Sequence, residues 1–226
     1  MRRIYYNRPM TDISKRHYTF ADRLLMEADK ALRTVSGANQ ANTRPSPANN
    51  IDENSLSSED RQHSAGLMRV NHTGEVCAQA LYQGQAMTAE LDTVRAEMDQ
   101  AAKEEIDHLQ WCDKRLKELD SQPSVLNPLW YALSFGIGAG AGLIGDKISL
   151  GFVAATEEQV SKHLEGHLQT LPVDDKKSRA IVAQMLEDER KHGHSALSAG
   201  GKDFPAVVKS LMTSMSKVMT KISYRL

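Results

Sequence analysis

The chain has 226 residues, of which 40% are hydrophobic and 25% charged, an ordinary composition with room for one large domain or two small ones. Lys and Arg number 28 against 29 Asp and Glu, a net charge of −1, so phosphate neutralisation cannot drive binding and a nucleic-acid partner is excluded. Aromatic residues are only 5% while Ala, Leu, Met, Gln, Glu and Lys abound, which predicts an all-α protein.

The N-terminal MRRIYYNRPMTDIS carries arginines without a following apolar stretch, so the parts of a secretory or twin-arginine signal are not recognised and a cytoplasmic-side protein is expected. Residues 17–35 set Phe20, Leu24, Ala28, Leu32 and Val35 on one stripe, predicting an amphipathic helix ended by Gly37 and assigning 1–35 to an N-terminal arm. Residues 36–63 are rich in Asn, Ser and Pro and hold few large apolar side chains, so they read as a flexible polar linker ahead of a domain at 64–226. Helical periodicity then covers about 67–91, 93–119, 127–145, 147–171, 175–198 and 204–224, interrupted by Pro123, Pro128, Pro172 and the Gly200-Gly201 pair. The first, second, fourth and fifth of these pair as two hairpins of a four-helix bundle, with an extra apolar helix and a C-terminal amphipathic helix. Cys77 and Cys112 are too few for a disulfide framework and are expected to be core residues.

Two helical segments carry Glu-x-x-His, Glu105 with His108 and Glu189 with His192. At this spacing the carboxylate and the imidazole leave one helix face and reach a common point, normally a metal. Single matches are weak evidence, but the arrangement repeats: Glu75 stands 30 residues before Glu105, and Glu157 stands 32 before Glu189. Each half therefore reads as a helix with a lone Glu, a turn, and a returning helix with Glu-x-x-His. Ala78, Tyr82 and Gln85 share the face of Glu75; Met98, Ala102, Leu109 and Cys112 share that of Glu105. Val153, Val160 and Leu164 accompany Glu157, and Val182, Met185 and Ala196 accompany Glu189 and His192. Carboxylates facing an apolar core need neutralising cations, and four carboxylates with two imidazoles suit two divalent ions of iron or manganese. Glu104, Asp107 and Asp188, beside these motifs, are candidates to accept from the outer N–H of a ligating imidazole, Asp188 foremost. His163 and His167 sit off the face of Glu157 and are expected to be solvated or supporting groups rather than ligands.

The segments GLMRVNHTGEVCAQALYQGQAM (66–87), EEIDH (104–108), PLWYALSFGIGAGAGLIGDK (128–147), VAATEEQVSKH (153–163) and LEDERKH (186–192) resemble the demethoxyubiquinone hydroxylase family, and RPSPA (44–48) resembles its bacterial branch. That resemblance implies a ferritin-like di-iron monooxygenase that hydroxylates the ring of 3-demethoxyubiquinol in ubiquinone biosynthesis. It implies two iron ions per chain, dioxygen as co-substrate and NADH as the electron source. By position it implies Glu75, Glu105, His108, Glu157, Glu189 and His192 as iron ligands, with Glu105 and Glu189 bridging. No catalytic residue beyond these ligands is expected. Gly140-Ala-Gly142-Leu-Ile-Gly145 matches a dinucleotide fingerprint but follows a helical stretch, so it is discounted. The rival readings are a peroxide reductase, a tRNA hydroxylase and an iron-storage or ferroxidase subunit.

Leu129 to Gly145 is a run of 17 uncharged residues, short of the ~20 that span a bilayer, with Gly136, Gly138, Gly140 and Gly142 permitting close helix contact. The last segment puts Phe204, Val207, Val208, Leu211, Met215, Val218, Met219 and Ile222 on one stripe, with Lys209, Lys217, Lys221 and Arg225 beside or opposite it. Together with a polyprenylated quinol substrate, these features lead us to expect peripheral attachment to the cytoplasmic face of the cell membrane. A homo-oligomer or association with other ubiquinone-biosynthesis proteins is compatible with the same surfaces.

Overall fold

The computed structural model describes residues 19–38, 44–52 and 55–226, and all regular structure among them is helical. The helices are α1 (Phe20–Ser36), α2 (Ser58–Thr88), α3 (Asp92–Glu118), α4 (Asn127–Ile144), α5 (Asp146–Thr170), α6 (Lys176–Ser198) and α7 (Ala206–Ser223). The expected fold class stands: a ferritin-like bundle whose hairpins are α2–α3 and α5–α6, with α4 packed along α2 and leading into α5. Residues 1–18, at the start of the N-terminal arm, lie outside the described residues.

Helix ends follow local chemistry. Thr19 and Asp22 form a reciprocal capping box at the start of α1, and Gly37 ends it in the left-handed region at φ 71°. Ser57 accepts from the Asp60 amide at 3.0 Å, so α2 begins at Ser58, inside the segment read as linker. The Asp175 side chain caps α6 by accepting from Ser178 at 2.8 Å and also takes a 2.7 Å bond from the fully buried Arg115, which joins α3 to that cap. Asp146 opens α5 and accepts from the Glu90 and Leu91 amides at 3.1 and 2.9 Å, fixing the turn between α2 and α3.

The bundle interior has two apolar layers. One gathers Met68, Trp111, Cys112, Leu116, Leu164, Ile181, Val182 and Met185; the other gathers Ala78, Tyr82, Met98, Leu150, Val153 and Ala196. Glu75, Glu105, Glu157 and Glu189 fall between these layers in all four helices, as the faces in the sequence required.

Three details correct the sequence reading. On α1, Ala28 and Leu32 face solvent, while Ala31, Thr34 and Val35 turn inward, because the helix lies shallowly on α2 and α4 and covers a narrow strip. The side chains of Phe20 and Leu24 are outside the described residues. Within 36–63, residues Ser58–His63 belong to α2, and residues 44–48 lie on the bundle with Ser46 and Ala48 buried. Of the two histidines set aside as non-ligands, His167 is buried rather than solvated and His163 is half-buried, with ring centroids 3.9 Å apart; burial and the neighbouring His163 and His63 push the His167 pKa down to about 3. Cys112 is buried and Cys77 half-buried, both as free thiols. The Gly140–Gly145 run ends helix α4, with no strand before it.

Candidate metal centre

All six acidic and histidine residues singled out by the repeat converge. Glu75, Glu105, His108 and Glu189 each offer a ligand atom within 4.8 Å of the others, and all four are buried. The two Glu-x-x-His helices cross their carboxylates between the imidazoles. His108 Nδ1 lies 2.9 Å from Glu105 Oε2 and 3.2 Å from Glu189 Oε1; His192 Nδ1 lies 3.0 Å from Glu105 Oε1 and 3.5 Å from Glu189 Oε2. Each of these two glutamates thus turns one oxygen to each histidine. Glu75 Oε2 is 3.7 Å from His108 Nδ1. Glu157 sits on the other side, where a Cβ on Gly193, next to His192, would come within 3.3 Å of the Glu157 Cβ. Tyr82 donates its hydroxyl proton to Glu157 Oε1.

The outer imidazole nitrogens are held crosswise. Asp188, the residue before Glu189, accepts from His108 Nε2 at 3.0 Å; Glu104, the residue before Glu105, accepts from His192 Nε2 at 2.9 Å. Each motif's leading acid therefore orients the other motif's histidine, leaving both Nδ1 atoms aimed inward. The sequence pointed to Asp188 for such a role but could not pair it with a histidine. It did not assign Glu104 to His192, although the shared acid-Glu-x-x-His pattern carried that signal.

The electrostatics describe a cluster that calls for positive charge. Burial pushes Glu75 and Glu157 well above the usual carboxylate range, and the neighbouring charges of Glu105 and Glu189 add to this. Burial acts the same way on Glu105 and Glu189, but His108 and His192 outweigh it and hold both low. Against its own burial, His192 is pushed up to about 12 by the Glu105 and Glu189 carboxylates. Glu75 Oε2, Glu105 Oε1 and His192 Nδ1 are buried without a hydrogen-bond partner, although the last two are 3.0 Å apart. Oxygen-rich ligands with two imidazoles fit hard or borderline divalent cations, which would satisfy those atoms and neutralise the carboxylates.

The two histidines differ in access. His108 is fully enclosed, whereas 15% of the His192 side chain is exposed at a cavity of about 460 Å³ lined by Tyr82, Met98, Glu104, Leu150, Val153 and His192.

A bundle of two helical hairpins with acid-Glu-x-x-His on each returning helix, buried between apolar layers, defines the ferritin-like class of carboxylate proteins. The family model described as Ubiquinone biosynthesis protein COQ7 matches residues 62–223, and the chain belongs to that family. It is 62% identical over 213 residues to a 3-demethoxyubiquinol 3-hydroxylase of Azotobacter vinelandii, covering 94% of this chain and 99% of that one. Enzymes of the same name from Ectopseudomonas mendocina and Stutzerimonas stutzeri are also 62% identical with the same coverage.

Proposed function

We propose that the protein is a 3-demethoxyubiquinol 3-hydroxylase in which Glu75, Glu105, His108, Glu157, Glu189 and His192 would hold two iron ions. The observation that carries this reading is the crossed placement of Glu105 and Glu189, each with one oxygen toward either imidazole. When bound, the iron pair supplies two-electron activation of dioxygen, one atom going to the substrate ring and the other leaving as water, with NADH as the source of electrons.

The chain's own residues do the positioning. Asp188 and Glu104 fix the imidazole rings, and Tyr82 holds Glu157 by its hydroxyl. The apolar layers on either side keep bulk water from the carboxylates. The cavity beside His192 is the route for the quinol ring: Met98, Leu150 and Val153 give it apolar walls, and Glu104 and His192 put polar groups at its inner end.

Peripheral membrane attachment belongs to the same reading. Among the described residues no helix is long and apolar enough to cross a membrane. Leu129, Leu133, Ile137 and Ile144 recur along one exposed face of α4, and Val207, Leu211, Met215 and Val218 along one face of α7. Apolar stripes of this kind, with Lys217 and Lys221 on the last helix and Arg225 just beyond its end, suit a lipid surface that carries a polyprenylated substrate. The test is metal analysis and quinol turnover of purified protein, with Glu189→Ala as control. We expect the native chain to bind about two irons and hydroxylate demethoxyubiquinol. Glu189→Ala should lose iron and turnover while keeping its far-ultraviolet helical signal. Full iron and turnover in that variant would remove the ligand assignment.

A further inference from the structure

The mechanism leaves one charged group near the centre unused. Arg44 lies in the Pro- and Ser-rich segment before α2, far in sequence from the helices it touches. Its Nε donates to Asp107 Oδ2 at 2.8 Å and its Nη1 to Asp188 Oδ2 at 2.7 Å. That Asp188 oxygen is the one that accepts from His108 Nε2 at 3.0 Å. The guanidinium carbon stands 4.9 Å from the centroid of the Trp111 ring, and Trp111 Nε1 donates back to the Arg44 carbonyl at 3.4 Å. Trp111 in turn lies against the His108 ring, with centroids 5.4 Å apart. The residues that follow are seated as well: Ser46 and Ala48 are buried, and Lys114 donates to Asn49 at 2.8 Å.

The other histidine is held differently. Glu104, which orients His192, is 44% exposed, accepts from Gln100 at 2.9 Å and lies on the cavity wall. Asp188 has only 10% of its side chain exposed and sits under the guanidinium. The two halves of a nearly symmetric centre thus differ by a clamp supplied from outside the bundle.

We propose that residues 44–48 form a strap over the His108 half of the centre, and that Arg44 is a positioning residue. By fixing Asp188 and Asp107 on two different helices, it sets the His108 ring and retards loss of metal from that half. This rests on the iron reading above. An acid that orients a ligating histidine is worth about 10–100-fold in metal affinity, and a forked guanidinium fixes such an acid in both position and charge. The cation bridges α3 and α6 where each presents a buried acid, which a lysine's single point of charge cannot reproduce.

The test uses full-length protein loaded with ferrous iron and transferred into an excess of a ferrous chelator. Arg44→Ala should release iron about 10-fold faster than the native chain with unchanged helical content. Arg44→Lys should fall between them, and added guanidinium chloride, but not equal sodium chloride, should slow the Arg44→Ala release. Arg44→Ala combined with Asp188→Asn should release iron more slowly than the product of the two single effects, because the two share the Asp188 contact to His108 while Arg44 keeps a second hold on Asp107. Metal-free protein gives an independent reading: in a Trp130→Phe background, Arg44→Ala should increase acrylamide quenching of Trp111. Native release from Arg44→Ala, multiplying effects in the double variant, or unchanged Trp111 quenching each overturns the strap. If Glu189→Ala in the same assay binds iron like the native chain, it is the iron centre that fails. If Glu189→Ala loses iron while Arg44→Ala behaves as native, the strap alone is wrong.

Discussion

Two glycines on α4, two residues apart, should respond to the same substitution with opposite signs. A Cβ on Gly138 would meet the Leu81 carbonyl oxygen of α2 at 2.3 Å and the Leu81 Cα at 2.9 Å, both backbone atoms that no rotamer change can move. One on Gly140 would meet nothing within 4 Å. Gly140→Ala therefore gains helix propensity alone, about 0.5–1 kcal/mol. Gly138→Ala gains the same but must drive α2 and α4 apart by about 1 Å to restore an ordinary contact, and overpacking of that kind costs about 1–3 kcal/mol or more. In a chain of this size each kcal/mol moves Tm by about 2–4 °C. Thermal melts of metal-free protein followed by far-ultraviolet circular dichroism should show Gly140→Ala above the native chain and Gly138→Ala clearly below it. The contact has a reciprocal side, since a Cβ on Gly84 would meet the Phe135 carbonyl at 2.4 Å. Gly84→Ala should therefore destabilise as Gly138→Ala does, and the pair should cost less than the sum because one separation serves both. If Gly138→Ala melts within a degree or two of Gly140→Ala, the close α2–α4 crossing is refuted.

Arg115→Met should destabilise by about 3–5 kcal/mol in urea titrations, because it strands the buried Asp175 carboxylate 2.7 Å from the lost guanidinium; a loss under about 1 kcal/mol would contradict that burial. Burial holds His72 near 4 and His167 near 3, so the folded chain refuses protons that the unfolded chain takes up near the ordinary value of 6.5. Their contribution is complete above that value and is lost as pH falls toward 4 and 3, at about 1.4 kcal/mol per pH unit for each histidine. His167→Gln should flatten the acid limb of stability against pH in metal-free protein, and an unchanged slope would refute the burial. Glu104→Ala should weaken iron binding by about 10-fold or more by freeing the outer nitrogen of His192, read by equilibrium competition with a chelator; native affinity would dismiss Glu104 as its orienting group. Full-length protein should float with anionic liposomes, and Leu211→Glu with Val218→Glu should abolish flotation; a native chain that stays at the bottom would refute membrane attachment.

What the sequence could and could not disclose divides along contact range. The Glu75-to-Glu105 and Glu157-to-Glu189 repeat and the apolar faces around it are helix-periodic, so the bundle and the six converging side chains were legible from spacing alone. The start of α2 was missed although Ser57 and Asp60 form a capping signal, because residues 58–63 lack the apolar periodicity used to mark a helix. The glycine run on α4 showed that some helix comes close, yet the face was hidden: Gly138 and Gly142 meet α2, while a Cβ on Gly136 or Gly140 meets nothing. Arg44 was the least legible. Its segment has the composition of a linker, and its partners Asp107 and Asp188 are 63 and 144 positions away on different helices. Composition weighs only the apolar surface a segment can bury; here a guanidinium between two buried acids and one aromatic face holds the chain instead. Polar segments ahead of such bundles should therefore be searched for a cation able to reach the acid that precedes each Glu-x-x-His, since that acid carries a charge the metal ligands leave uncompensated.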